Sequence, residues 1–230
     1  MSDTGTTYLR QLGLFEPDHK TMEDFVRLPI LIIGCGGICS FLAAALGKMG
    51  CQNLTLCDPD KVEEHNRPNQ NFGIKDIDKE KVVAMQDYLK EREDINATVH
   101  IRTFPDLVIS PKAITISAVD SLETRKKIWQ EVKNNPTVEL FIDGRMAGTL
   151  CEVYAIERRF PKHRKYYEST LHGKPAEEEC TARSIIYCAD GITALIGSIL
   201  RNNHIGKDNP TIVTMNWENF MISKKEVPKK

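Results

Sequence analysis

The chain has 230 residues, of which 41% are hydrophobic, and this length supports one well-buried domain but leaves little apolar material for a second core. We therefore expect a single domain over residues 1–230. The 31 lysine and arginine residues nearly balance the 32 aspartate and glutamate residues, so that the formal net charge is −1. No overall charge therefore favours nucleic acid or an anionic membrane as a partner.

The sequence carries no signal for secretion or membrane insertion. The first residues lack a basic region followed by an apolar one, and no run of about 18 apolar residues occurs. The seven cysteines are odd in number, and several lie in apolar segments, where a free cysteine behaves as a small hydrophobe. No CxxC pair of a zinc site is present. We expect a soluble cytoplasmic protein without structural zinc.

Short apolar segments alternate with helix-like segments through the first 150 residues. The apolar segments predict β-strands at residues 29–33, 53–57, 97–101, 113–117 and 138–142. The segments between them predict helices at residues 38–49, 79–92 and 122–133. Strands that are apolar on both faces and alternate with helices indicate an α/β fold, a Rossmann-like, doubly wound, mainly parallel sheet with helices on both faces.

The rhythm changes after residue 148. Residues 152–157 and 211–217 predict two further strands, and residues 192–200 predict a helix. The charged, proline-containing stretch at about 157–184 is predicted to be an excursion over the active site. We expect an antiparallel C-terminal extension of the sheet, followed by a solvated lysine-rich tail.

Three glycines directly follow the first predicted strand. Gly34, Gly36 and Gly37 allow a tight turn that brings backbone N–H groups to a phosphate at the start of the next helix. Cys39 occupies the position of the third glycine in the dinucleotide fingerprint. A turn without a ligand is the alternative, but Asp58 ends the second strand about 20 residues later, where an acid accepts hydrogen bonds from ribose. Loop and acid together predict a nucleotide site.

The loop after Asp58 combines carboxylates, amides and cations beside the predicted nucleotide. Cations there can neutralise a triphosphate, and amides can orient it. The side chains are Asp60, Asn66, Arg67, Gln70 and Lys81. Asp120 follows the fourth predicted strand, where a carboxylate can hold Mg²⁺. Asp143 is predicted to follow the fifth strand in the same way, with Arg145 beyond it as either a substrate-facing or a structural arginine.

These motifs together resemble the ThiF/MoeB-type adenylyltransferases of the ubiquitin-activating-enzyme superfamily. The matching segments are Gly34-Cys-Gly-Gly-Ile-Cys-Ser40, Asp58-Pro-Asp-Lys-Val-Glu-Glu-His-Asn66 with Gln70, then Lys81, and Asp120 with Arg125. Two features depart from the family pattern. Many members carry an arginine where this chain has Asn69, which leaves Arg67 as the available cation, and the paired CxxC motif of the bacterial branch is missing.

The resemblance implies ATP and Mg²⁺ as cofactors and a carboxyl terminus as substrate. In the family, the Gly-Gly end of a small ubiquitin-like or sulfur-carrier protein attacks the α-phosphate of ATP, giving an acyl-adenylate and pyrophosphate. By position, Asp58 would bind the ribose and Asp120 the Mg²⁺. The phosphates would contact Asn66, Gln70 and Lys81, with Arg67 as an alternative cation.

The segment Tyr8-Leu-Arg-Gln-Leu12 resembles the family segment whose arginine reaches the triphosphate bound by a partner subunit. This resemblance makes Arg10 the corresponding arginine, with an ordinary surface arginine as the alternative. An arginine that acts on a partner's site implies a homodimer or a pair formed with a homologous chain.

Two cysteines are candidates for receiving the acyl group after adenylation. Cys188 precedes the predicted helix at 192–200, where sulfur-carrier enzymes keep a reactive cysteine, and Cys180 ends the charged excursion. A thiolate near a helix N-terminus is favoured by the helix dipole. Burial in the core is the alternative for Cys188, and adenylation without any cysteine relay is a third possibility.

Three other functions compete with activation of a ubiquitin-like protein. One is adenylation of a peptide or small carboxylate in a biosynthetic pathway. Another is an NAD-dependent oxidoreductase, against which Cys39 and the cluster of Asn66, Gln70 and Lys81 argue. The last is a non-catalytic scaffold, which has no need of Lys81 and Asp120.

Overall fold

The computed structural model describes residues 8, 11, 13, 20–105, 112–172 and 185–229. The predictions made for Arg10 and Cys180 lie outside these residues. The α-helices are α1 (Lys20–Val26), α2 (Gly37–Lys48), α3 (Lys81–Glu93), α4 (Leu122–Val132), α5 (Pro161–Ser169) and α6 (Ile186–His204). The strands are β1 (Ile30–Ile33), β2 (Leu54–Cys57), β3 (Thr98–His100), β4 (Ile114–Ser117), β5 (Leu140–Ala147), β6 (Leu150–Glu157), β7 (Ile212–Asn216) and β8 (Met221–Lys225).

The eight strands form one sheet in the order β3-β2-β1-β4-β5-β6-β7-β8. Strands β1 to β5 pair in parallel, and β5 to β8 pair antiparallel. The predicted Rossmann-like sheet with an antiparallel C-terminal extension is confirmed. Because the chain builds outward from β1 to β3 and then returns to β4 on the other side of β1, the switch point lies between β1 and β4.

Helices cover both faces of this sheet and create two apolar cores. Every residue of β1, β2 and β4 is buried, because these strands pack against helices on both sides. Ile30 and Ile32 point into the core formed with α1, α2, α3 and α6. Leu31 and Ile33 point into the second core, which α4 and α5 complete. The alternation along a single strand therefore holds the two helical layers in place.

The fifth strand is longer than its apolar segment predicts. Strand β5 continues through Asp143 and Arg145 to Ala147, because β6 folds back on it as an antiparallel hairpin. The prediction that Asp143 follows the strand is wrong, since Asp143 pairs with Tyr154 of β6 and is fully buried.

The C-terminal part also differs from the predicted elements. The excursion contains α5, which packs on the sheet through His163 and Tyr167. Helix α6 begins at Ile186, so Cys188 lies in its first turn rather than before it. The lysines at 224 and 225 belong to β8, an exposed edge strand. Among the helices of the described ranges, none is both long and apolar enough to cross a bilayer.

Candidate functional site

The glycine loop connects β1 to α2 at the switch point. Gly34 has a φ of +89°, and a Cβ there would lie 2.8 Å from the carbonyl oxygen of Ala118, so only glycine fits between the ends of β1 and β4. Gly36 is the N-cap of α2 and provides no side-chain acceptor. The first N–H groups of this 12-residue helix are therefore available to an anion.

The Asp58 carboxylate fixes the glycine loop from the end of β2. The backbone N–H of Cys35 donates to Oδ2 of Asp58 at 2.5 Å, and the N–H of Asp60 donates to Oδ1 at 2.8 Å. Burial raises the pKa of the Asp58 carboxyl above its ordinary value, although the two N–H donors and nearby Lys81 oppose the shift. The acid predicted to bind ribose thus lies directly beside the phosphate loop.

Lys81 is held at the same edge of the sheet by Asp60. Its ammonium lies 2.9 Å from Oδ2 of Asp60, and its backbone N–H donates to the Asp60 carbonyl at 2.9 Å. The residue is only 8% exposed. The thiol of Cys35 contacts the Lys81 carbonyl at 3.9 Å, so the start of α3 lies next to the glycine loop.

Two contacts attach the loop between β2 and α3 to the glycine loop. The N–H of Asn71 donates to Oγ of Ser40 at 3.0 Å, which joins the loop to the first turns of α2. The side chain of Gln70 lies over Gly36, where a Cβ would be 3.9 Å from its Nε2. Both contacts hold the loop between β2 and α3, which is predicted to bind phosphate, against the start of α2.

Asn66 and Arg67 occupy this loop in different ways. The buried Asn66 accepts the N–H of Glu63 at 2.9 Å and caps a short 3₁₀ turn (Glu64–Asn66). Arg67 forms an ion pair with Glu64, while its Nε is buried and has no hydrogen-bond partner among the residues that the structure describes. Asn66 therefore supports the loop, and Arg67 pairs with a neighbouring residue of the same loop.

Asp120 lies across the switch point from Lys81, in the turn after β4. Its side chain is exposed, and its carbonyl accepts a hydrogen bond from Nη1 of Arg125 at 3.1 Å. Within the described ranges no side chain pairs with its carboxylate, and no three acidic, histidine or cysteine side chains cluster as a metal site. One carboxylate fits Mg²⁺ when substrate phosphates supply the other ligands, which is the usual arrangement for this ion.

The described cysteine candidate is deeply buried. The thiol of Cys188 contacts the carbonyl of Gly148 at 3.4 Å and lies near the thiol of Cys151. Burial raises the pKa of the Cys188 thiol, with a small opposing effect from Cys151. This surrounding favours the neutral thiol over the nucleophilic thiolate.

Sequence reasoning missed a cluster of charged side chains around Asp143, which reaches the turn of Asp120 through Arg125. Asp143 receives hydrogen bonds from Arg125, Arg145 and Tyr167. Burial opposes its ionisation, but the two guanidinium groups outweigh burial and lower the pKa of Asp143 below its ordinary value. The sequence did contain a signal for this cluster. Phe141, Asp143 and Arg145 alternate as residues on one face of a strand do, which indicates that the strand continues beyond its apolar segment and carries two charges on that face.

The arrangement defines a class of protein: an α/β domain with a glycine loop and a cluster of polar side chains at the switch point of its sheet. The ThiF family matches residues 8–207, and the chain belongs to this family. A comparison with curated proteins gives no significant sequence match.

Solved structures agree with this membership. Escherichia coli MccB, solved with ATP, is 16% identical with a TM-score of 0.74, the match covering 99% of this chain and 73% of MccB. PaaA is 16% identical with a TM-score of 0.78, over 99% of this chain and 74% of PaaA. The chain therefore has the ThiF-type adenylyltransferase fold, as the sequence motifs predicted.

We expect nucleotide affinity to depend on the protonation of Asp58. Because its pKa is raised, Asp58 is protonated at a higher pH than an exposed aspartate, whose pKa is about 3.9. Protonation removes an acceptor and a negative charge beside the predicted ribose. ATP affinity measured by titration calorimetry should therefore fall as the pH is lowered from neutral towards the raised pKa.

Folding stability should respond to the same proton with the opposite sign. The folded protein binds this proton more tightly than the unfolded chain does, so the added stability is complete below the unfolded pKa and is lost as the pH rises through the folded pKa. Asp58→Asn should remove both contributions, whereas the control Glu131→Gln, at an exposed carboxylate of α4, should retain them. A pH-independent ATP affinity in the unmutated protein would contradict the assignment.

Proposed function

We propose that this protein uses ATP and Mg²⁺ to adenylate the C-terminal carboxylate of a protein or peptide. One observation supports this most strongly. Asp58 binds the N–H of Cys35 in the glycine loop and the N–H of Asp60, while Asp60 binds the Lys81 ammonium. An acid for ribose, a loop for phosphate and a buried cation are thus joined by three consecutive hydrogen bonds.

The proposed reaction needs charge neutralisation and alignment rather than an acid–base pair. A carboxylate oxygen of the substrate attacks the α-phosphorus of ATP, a new P–O bond forms, and the bond to the bridging oxygen of the β-phosphate breaks. Pyrophosphate leaves with the electron pair, and no proton is transferred. Lys81 and Arg67 are the cations available to the phosphates, and Asp120 is the carboxylate available to the Mg²⁺ that offsets the developing charge.

The first candidate substrate is a small ubiquitin-like or sulfur-carrier protein with a Gly-Gly C-terminus. The second is a peptide activated in a biosynthetic pathway. Its support is the structural similarity to MccB, a microcin C7 biosynthetic enzyme solved with MccA. Both substrates present a C-terminal carboxylate to the same site, so the chemistry is common to the two.

We propose a homodimer in which Arg10 acts on the site of the partner. Two neighbours of Arg10 are anchored at the far end of α2: Gln11 Nε2 donates to the Lys48 carbonyl at 3.0 Å, and Tyr8 packs against Gly50. The 12 residues of α2 separate this anchor from the glycine loop by about 18 Å. This distance favours a site on a second copy over the site of the same chain.

Removal of the Lys81 ammonium should abolish adenylation while leaving the protein folded. Lys81→Met should lower ATP–pyrophosphate exchange by at least about 100-fold, the usual effect of losing one stabilising charge or donor at a reacting centre. Folding should survive because the Asp60 side chain left behind is 62% exposed. Lys90→Met, which removes an exposed lysine paired with Asp94, is the matched control and should exchange normally.

Exchange assays also separate the two substrates. A Gly-Gly-ended ubiquitin-fold protein and a short peptide with a free C-terminus are supplied in turn. Exchange that is stimulated by the ubiquitin-fold protein alone supports a carrier-protein substrate. Exchange that is stimulated by the peptide alone supports a peptide substrate. Absence of exchange with every carboxylate would overturn the proposed reaction.

The action of Arg10 across subunits can be tested by complementation. Arg10→Ala and Asp120→Asn should each be inactive, because each lacks one part of every site. In an equal mixture of the two variants, about a quarter of the sites combine an intact Arg10 with an intact Asp120 from different chains. Exchange activity should recover to about that fraction, whereas an inactive mixture of dimers would exclude action across subunits.

Transfer of the acyl group to a cysteine gives a thiol-sensitive adduct with AMP as the leaving group. We expect Cys180→Ala to abolish this adduct and Cys188→Ala to retain it, because the Cys188 thiol is buried and its pKa is raised. Cys51→Ala, at another buried cysteine, is the control for general damage. The adducts are detected by mass spectrometry, and loss of the adduct in Cys188→Ala alone would reverse the assignment.

A further inference from the structure

The carboxylate of Asp143 lies at the centre of a cluster of four side chains, of which Asp143, Arg125 and Tyr167 are buried and Arg145 is partly exposed. Nε of Arg125 donates to Oδ1 at 3.0 Å, while Nε of Arg145 and the hydroxyl of Tyr167 donate to Oδ2 at 2.7 and 2.9 Å. Asp143 is 0% exposed. Because no part of the residue is exposed, neither oxygen is accessible to a substrate or metal.

The guanidinium of Arg125 extends this cluster to the turn that carries Asp120. Besides binding Asp143, it donates from Nη1 to the Asp120 carbonyl and from Nη2 to the Gly144 carbonyl, each at 3.1 Å. A guanidinium is planar and presents its donors in fixed directions. Because one rigid guanidinium donates to all three acceptors, it fixes the Asp120 backbone relative to β5.

The same carboxylate also fixes Arg145. Nη2 of Arg145 donates to Oγ1 of Thr170 at 3.1 Å, and its guanidinium stacks 4.3 Å from the ring centroid of Tyr154. One carboxylate thus holds two arginines that reach different acceptors at the active-site end of the sheet. Apolar side chains of similar volume often stabilise a core as well as buried ions do, so stability alone does not require this cluster.

We propose that Asp143 and Arg125 are positioning residues that set the orientation of Asp120 for Mg²⁺ bound to ATP. Asp143 orients the guanidinium of Arg125, and Arg125 holds the Asp120 carbonyl, which fixes the turn that carries the exposed Asp120 carboxylate. Neither residue touches the reacting atoms. The inference rests on the proposed function, because it assigns Asp120 to the metal of that site.

The test separates ATP affinity from the increase in affinity that Mg²⁺ provides. Arg125→Lys keeps a positive charge beside Asp143 but loses the fork that reaches the two carbonyls. We expect titration calorimetry to show metal-free ATP binding like that of the unmutated protein. The gain in ATP affinity on adding Mg²⁺ should be smaller by about tenfold or more, as when a residue that orients a metal ligand is replaced.

Arg158→Lys is the matched control. Arg158 also donates from Nε to a backbone carbonyl, that of Val138 at 2.7 Å. Val138 lies just before β5, at the opposite end of this strand from the turn that carries Asp120. Its Mg²⁺ gain should equal that of the unmutated protein. A folded Arg125→Lys variant with an unchanged Mg²⁺ gain would overturn the proposal.

A second variant covers the case in which Arg125→Lys does not fold. Asp143→Asn keeps the size of the side chain and leaves both arginines in place, but it removes the charge and one of the two acceptor oxygens that orient Arg125. A reduced Mg²⁺ gain in this variant supports the proposal, and an unchanged gain contradicts it. If the unmutated protein binds no ATP, the proposed function itself fails; if it binds ATP with a Mg²⁺ gain that the variants retain, only the positioning role fails.

Discussion

The whole candidate site depends on one buried carboxylate, that of Asp58. Its two oxygens accept the backbone N–H groups of Cys35 and Asp60, so it joins the glycine loop to the loop after β2, whose Asp60 binds Lys81 at the start of α3. Burial makes the ionised form costly, and two N–H donors repay part of that cost. In the proposed function this carboxylate accepts a ribose hydroxyl. The proposed nucleotide site is held together by backbone donors in the loops that follow two neighbouring strands.

Asp143 performs the corresponding task on the other side of the switch point. There the carboxylate lies inside the sheet rather than at its edge, and it binds arginine side chains rather than backbone N–H groups. The two carboxylates differ in the effect of their surroundings, since burial dominates for Asp58 and the guanidinium charges dominate for Asp143. Together the two carboxylates fix the two sides of the switch point, with Lys81 on one side and Asp120 on the other.

Sequence reasoning was most accurate where local chemistry and strand periodicity agree. The all-apolar segments became the buried parallel strands, and the residues after them reached the same edge because parallel strands all end there. It was least accurate where pairing with a distant segment decides the structure. The extension of β5 through Asp143 and Arg145 depends on β6, and β8 depends on β7. Both partner strands were predicted, but no local pattern gives the register in which they pair or how far the pairing extends.

The sequence by itself determined the fold class, the glycine loop and the set of polar residues at the switch point, because each is written in short-range patterns of residue type. The tertiary structure alone decided which of these residues contact one another. It placed Lys81 on Asp60, buried Cys188 in the first turn of α6 and enclosed Asp143 between two arginines. Burial and ion pairing depend on segments far apart in the chain, and no local pattern encodes them.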